Sequence, residues 1–369
     1  MVWTYPESPA ATSHPQRSCP TIDNQGQIWF CSQNKLVAFR EQQGKFQLLW
    51  TYETGGRIPG SPVTGLDGNI RIHSGDEHLH IVSPAGERIG NPAKVGEPLG
   101  WATPLVDEKN ATWICGYHGG LIRVAADGRM DETPFFRGRQ RFDSTGLIQR
   151  GVLYVGAENA CVYAIDLRGE RGKNLWDHLA ERGRTGWFIN SALAVAPGPV
   201  LIVASRDDRL YGFQLDGQQL WSLDMDGQML GSPVVDADGS VYVGLSLVQG
   251  REQPRGALVR VDGLSHRIRW RYDTAAPVES TPVIGDDGVV YCGDNDGMVH
   301  AVDSDGRAVW TEQVAAAIRS PGTILGQELV VFGLENGTFA ALRCSSRKIR
   351  PGTWSKYLGA LAQSGLVTV

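Results

Sequence analysis

The sequence predicts an all-β, eight-bladed β-propeller of four-stranded antiparallel blades, with seven blades as the runner-up. Three observations predict it. A Ser/Thr-Pro anchor or a degenerate version of it recurs eight times, at Cys19, Ser61, Thr103, Ser144, Ser191, Ser232, Thr281 and Ser320, 39 to 49 residues apart. After each anchor come short runs of alternating apolar residues separated by Asp-Gly or similar pairs, a hairpin signal. A tryptophan closes many of the units: Trp50, Trp176, Trp221, Trp270 and Trp310. Strand patterning at a period near 40 residues is the signature of propeller blades.

The unit from Thr281 shows each element in order. Pro282 to Ile284, Val289 to Cys292 and Met298 to Val302 predict three strands, and Trp310 marks a fourth. Gly26, Gly68, Gly151, Gly239 and Gly288 share one column and read as left-handed turn residues. Three residues on stands an aromatic column: Trp29, Trp113, Tyr154, Tyr242 and Tyr291. In the third strand one column reads Val37, His80, Ile122, Tyr163, Tyr211, Val259, His300, Phe339. The next reads Ala38, Ile81, Arg123, Ala164, Gly212, Arg260, Ala301, Ala340, where small residues predict close approach of adjacent sheets.

The strings AVDSDGRAVW (Ala301 to Trp310), GFQLDGQQLW (Gly212 to Trp221) and AIDLRGERGKNLW (Ala164 to Trp176) resemble the tryptophan-docking repeat of pyrroloquinoline-quinone (PQQ)-type propellers. The resemblance covers roughly Pro20 to Arg343. It implies outer-strand tryptophans docked between blades. Some relatives of this kind are quinone dehydrogenases with calcium, an Asp base and a disulfide of adjacent cysteines. Another is a scaffold lipoprotein of outer-membrane β-barrel assembly. This chain has no Cys-Cys pair, no c-type haem motif and no long insertions, so PQQ and calcium are not expected as cofactors.

Trp3-Thr4-Tyr5 matches Trp50-Thr51-Tyr52, which predicts that the N-terminus supplies the outer strand of the last blade, with Trp354 as a rival. The expected organisation is one propeller domain over residues 1–344 and a tail over 345–369, in which Trp354 to Gln363 reads as a short helix. The formal net charge of −5 and the absence of a basic stripe argue against nucleic acid. No run of 18 apolar residues predicts a membrane span. The N-terminus has neither the basic nor the apolar region of a leader, which predicts a cytoplasmic monomer, or a periplasmic one if a leader was removed. Six separated cysteines, none in CxxC spacing, predict buried thiols.

Apparent metal motifs have simpler readings. Asp236, Asp238, Asp294, Asp296, Asp303 and Asp305 fall where the repeat demands turns, and lack the further ligands of a calcium loop. His73, His78 and His80 lie in repeat columns rather than a zinc pattern. No catalytic motif is recognisable, so no catalytic residue is expected. The connections from outer to next inner strand, and from second to third strand, share one face and carry the variation. They bring Arg57, Glu97, Trp101, Arg141, Asp143, Trp187, Asn190, Glu279 and Arg319, together with the long loop Leu245 to Gly256. Irregular polar and aromatic residues on a regular scaffold predict a binding surface. The expected function is therefore non-enzymatic recognition of a protein, peptide or small ligand at this face or at the channel mouth. The alternative is a propeller-hosted enzyme, such as a PQQ-dependent dehydrogenase or a lyase.

Overall fold

In the computed structural model the chain is an eight-bladed propeller of four-stranded antiparallel sheets. The structure describes residues 3–5, 18–23, 25–42, 45–96, 100–176, 181–248, 253–326, 328–351, 354, 356–359 and 366–367. Strands are lettered A to D from the inner edge outward. Blade 1 begins at Thr21–Ile22, blade 2 at Val63–Thr64, blade 3 at Leu105–Val106 and blade 4 at Leu147–Gln149. Blade 5 begins at Ala194–Ala196, blade 6 at Val234–Val235, blade 7 at Val283–Ile284 and blade 8 at Thr323–Leu325. Two compact units divide the chain, one holding blades 1 to 4 and the other blades 5 to 8.

The Ser/Thr anchors stitch neighbouring blades together. In the first unit the Ser61 amide donates to Thr103 Oγ1 (3.1 Å), and the Thr103 amide to Thr145 Oγ1 (2.8 Å). In the second, the Ala192 amide donates to Ser232 Oγ (2.9 Å), and the Ser232 amide to Thr281 Oγ1 (2.9 Å). All of these atoms are buried, where an unpaired amide would cost about 1–3 kcal/mol. A second hydroxyl clips each of several blades internally. Ser280 Oγ donates to the Gly293 carbonyl (2.8 Å), and Ser320 Oγ to that of Gly333 (3.0 Å).

The outer tryptophans dock on the next blade. Trp50 donates its indole N–H to the Pro84 carbonyl (2.9 Å), and Trp270 to that of Ser304 (2.9 Å). Each ring lies over a turn glycine. A Cβ on Gly86 would meet Trp50 at 2.7 Å, and one on Gly306 would meet Trp270 at 2.8 Å. Trp221 stacks on His266 of the following blade at 4.7 Å. The small third-strand column serves these rings. Ala38, Gly212 and Ala301 pair with Trp50, Trp221 and Trp310, and a Cβ on Gly212 would meet Trp221 at 2.3 Å. Room for a cross-strand indole therefore accounts for the column, where closeness of whole sheets was expected.

Blade 8 corrects the sequence alignment by one residue. Trp3 pairs with Ala341, and Val331 also pairs with Ala341, so Ala340 and Ala341 stand where Phe339 and Ala340 were expected. The cause is the anchor: Ser320 makes the bond of Ser280, one place before Thr281. Trp3–Tyr5 takes the outer-strand slot. Trp354 instead bridges to Val235. Residues 356–359 turn rather than continue a helix, and 355 and 360–363 of that segment lie outside the described residues. Leu366–Val367 adds in parallel to the inner strand of blade 4.

Arg71 occupies the aromatic column of blade 2 and is fully buried. It donates to Thr112 Oγ1 of blade 3 (3.0 Å) and pairs with Asp67 (2.9 Å). Burial alone would raise the Asp67 carboxyl, but the hydrogen bonds and charge of Arg71 outweigh it and hold the pKa at about 2, from an ordinary 3.8.

Two predictions follow from this packing. Gly68 and Gly306 both have positive φ (76° and 83°), but only Gly306 faces a ring. Gly68→Ala is expected to cost about 1 kcal/mol in urea unfolding, and Gly306→Ala clearly more; equal costs would mean the indole is not seated. A carboxyl held low in the fold contributes stability that is present above pH 4 and lost as pH falls towards 2. Asp67 is about one-third exposed, so the contribution is discounted to about 1 kcal/mol. Wild type should therefore lose stability more steeply than Asp67→Asn between pH 4 and 2, measured by thermal unfolding.

Candidate functional site

The residues that enter each inner strand share one repeat position: Trp101, Asp143 and Asn190 in the first unit, Glu279 and Arg319 in the second. Facing them are the residues at the tip of the second-to-third-strand turn: Tyr117, Glu158, Asn295 and Glu335. Sequence reasoning missed these four. Their only signal was variation inside otherwise constant turns.

In the first unit the structure brings four of the expected residues, Arg57, Trp101, Asp143 and Asn190, into linked contacts, and sets Arg141 against Tyr117 and Glu158. Asp143 accepts the Trp101 amide (3.3 Å) and the Asn190 side-chain amide (3.4 Å). Asn190 Oδ1 is buried without a hydrogen-bond partner. The Arg57 guanidinium lies 4.7 Å from the centre of the Trp101 ring. Arg141 lies over Tyr117 at 4.2 Å, hydrogen-bonds its hydroxyl, and approaches Glu158 at 3.9 Å. Between the Arg57–Trp101 pair and Tyr117 opens a cleft of about 410 Å³, lined by Arg57, Pro59, Gly100, Trp101 and Tyr117. Arg137 and Arg139 on the same connection are exposed. Trp187 is 42% exposed and packs beside Phe188 at 5.4 Å. Glu97 lies outside the described residues.

In the second unit Glu279 and Arg319 are absorbed by each other. Arg319 Nε sits 3.0 Å from Glu279 Oε2 and donates to Asn295 Oδ1 (3.1 Å). Asn295 Nδ2 donates to Glu279 Oε1 (3.0 Å), and Glu335 lies 3.8 Å from Arg319. This closed network ties blade 7 to blade 8. The long connection of blade 6 runs from Leu247 to Arg255, and its residues 249–252 lie outside the described residues.

Histidine positions are structural. His80 accepts or donates between Tyr52 (2.9 Å) and Asp76 (3.0 Å), and His300 does so between Tyr272 (3.2 Å) and Asp294 (3.0 Å). Burial lowers the His73 pKa to about 4. Among the described residues no group of three or more His, Cys, Asp or Glu side chains is placed to hold a metal ion. All six cysteines are buried and unbonded to one another, and burial pushes the Cys115 thiol up to about 12. The quinone–calcium arrangement implied by the resemblance does not fit these residues. The carboxylates of Asp143 and Glu279 are already engaged by amides and by Arg319, and no adjacent cysteine pair exists.

The family model described as outer membrane protein assembly factor BamB matches residues 158–246 and 216–350, which together exceed half of the chain. The chain belongs to this PQQ-repeat propeller family. A BamB from Nitrosomonas eutropha is 25% identical over 190 residues, covering 48% of this chain and 42% of that protein. The chain thus matches less than half the length of that curated relative. Among solved structures, BamB from Moraxella catarrhalis superposes with a TM-score of 0.68 at 13% identity, covering 92% of this chain and 98% of that one. The computationally designed Ika8 protein gives 0.68 at 12% identity, covering 91% and 98%. A europium-containing methanol dehydrogenase gives 0.70 at 14% identity, covering 90% and 84%. At such identities these three share the fold. That a BamB, a designed protein and a methanol dehydrogenase are about equally similar shows how little the fold alone says of chemistry.

The Glu279–Asn295–Arg319 network predicts coupling. A double-mutant cycle with Glu279→Gln and Arg319→Met should give an interaction of about 1 kcal/mol in chemical unfolding. A value near zero would mark the pair as an ordinary solvated one.

Proposed function

We propose that this protein is a non-enzymatic recognition scaffold that binds an acidic segment of a protein partner in the cleft lined by Arg57, Trp101 and Tyr117, with Arg141 over the Tyr117 ring. The observation that carries the reading is the pair of guanidiniums stacked on aromatic rings at the edge of an open cleft. A ring holds the guanidinium plane in place, and a planar fork held this way suits a carboxylate. Arg137 and Arg139 extend the positive surface along the same connection. The family's description as an outer membrane protein assembly factor supports a protein partner over a substrate. It also favours the periplasmic side of the two compartments that the sequence leaves open.

Selection from a random peptide library on the immobilised protein tests this. Acidic sequences should be enriched, and their affinity should fall as salt rises. Arg57→Ala and Arg141→Ala should each weaken binding about tenfold, and Arg→Lys should not restore it. Enrichment of neutral or basic peptides, or full affinity in the double variant, would reject the reading.

A further inference from the structure

A glutamate stands at the tip of the second-to-third-strand turn in two blades, Glu158 in blade 4 and Glu335 in blade 8. Each lies near an arginine from the connection that enters its own blade. The two pairs differ in what else holds the arginine. Arg319 Nε sits 3.0 Å from Glu279 Oε2 and donates to Asn295 Oδ1 (3.1 Å). Glu335, 3.8 Å away, therefore joins a cation that is already engaged. Arg141 has a hydroxyl and a ring instead. Its Nη1 donates to the Tyr117 hydroxyl, and its guanidinium lies over the Tyr117 ring at 4.2 Å. Glu158 Oε2 stands 3.9 Å from Arg141 Nε, within ion-pair range and beyond hydrogen-bond reach.

The backbone sets this spacing. The Glu158 amide donates to the Arg141 carbonyl (3.2 Å), which fastens the turn to the connection. Tyr117 then draws the guanidinium to its own side. Arg141 is 47% exposed and Glu158 20%, so the carboxylate is the inner member of the pair and the cation the outer. A guanidinium is a planar fork of several N–H donors. Among the described residues, only the Tyr117 hydroxyl takes a side-chain hydrogen bond from that of Arg141. The fork can therefore receive a carboxylate from outside. Such a carboxylate would meet Glu158 across the same cation. Glu158 already balances part of the Arg141 charge, and two like charges this close repel.

We propose that Glu158 is a further residue of the arginine cleft, a resident carboxylate that holds Arg141 while the site is empty and opposes the acid of an incoming segment. The inference rests on the acidic-segment reading above. It adds a residue that weakens binding, so its removal strengthens the complex, whereas loss of Arg57 or Arg141 weakens it. Glu335 does not act this way, because Arg319 is closed by Glu279 and Asn295.

The test is fluorescence anisotropy on the full chain with a fluorescein-labelled octapeptide of alternating Glu and Gly, and its Gln-Gly counterpart as control. Glu158→Gln and Glu158→Ala should each bind the acidic peptide about threefold more tightly than wild type, the scale of an exposed ion pair. The gain should shrink as salt rises, leave the control peptide unaffected, and vanish when Arg141→Ala is added. Glu335→Gln makes the same change in net charge at the equivalent turn and should give no gain. Cooperative melting checks that each variant is folded. If wild type binds the acidic peptide and both Glu158 variants bind it equally or less tightly, the proposal is overturned while the acidic-segment reading stands. An equal gain in Glu335→Gln would trace the effect to net charge and overturn it as well. Failure of every protein to bind the acidic peptide would remove both readings.

Discussion

Everything else in this molecule hangs on a hydroxyl that accepts the neighbouring blade's first amide. The inner strands are two or three residues long and present little side chain to pack. Their exposed edges would carry unsatisfied amides if nothing met them. The Ser61–Thr103–Thr145 and Ala192–Ser232–Thr281 runs answer that need with the smallest side chain able to accept. Proline after the anchor fits because it has no amide to satisfy. At the other end of the blade the problem is reversed, since wide separation must be filled by bulk. Trp50, Trp221 and Trp270 fill it, seated on the next blade by contact and by indole hydrogen bonds.

With inner edges stitched and outer edges filled, the connections are free to differ. Two outcomes are visible at the same repeat position. Around Glu279 and Arg319 opposite charges meet and close, which strengthens the joint between blades and leaves little for a ligand. Around Arg57 and Arg141 the cations lie over rings, Arg141 also near Glu158, and a cleft remains beside Arg57. The difference lies in the turn residue opposite: Asn295 and Glu335 complete a polar network, whereas Tyr117 offers a ring face.

Most of the scaffold was legible because repetition turns one noisy sequence into eight readings of the same structure. The left-handed glycines Gly26, Gly68, Gly151, Gly239 and Gly288 all have φ between 73° and 84°, as their column implied. Blade 8 slipped by one residue because Ser320-Pro321 imitates the anchor dipeptide at the wrong place, which the register at Ala341 and the bond to Gly333 reveal. The candidate site was half legible. Loop residues such as Trp101 and Asp143 stood out against the repeat, but Tyr117 and Asn295 sit inside short turns that read as ordinary hairpin connections. Nor does a column show which charges meet. Glu279 and Arg319 looked like ligand contacts because their distance from each other is a property of three dimensions. The strand Leu366–Val367 had no repeat to announce it.

One arrangement bears on how the chain is made. Trp3–Tyr5 completes the sheet whose other strands end at Arg343. During synthesis Trp3–Tyr5 emerges before the rest of its sheet and must wait for Phe339–Arg343, so the blades between them have time to form first. Closing so long a loop is entropically costly but grows only slowly with length. The pairing of three residues then joins the two ends of the repeat array: until Phe339 has emerged, Trp3 and Tyr5 have no sheet to complete.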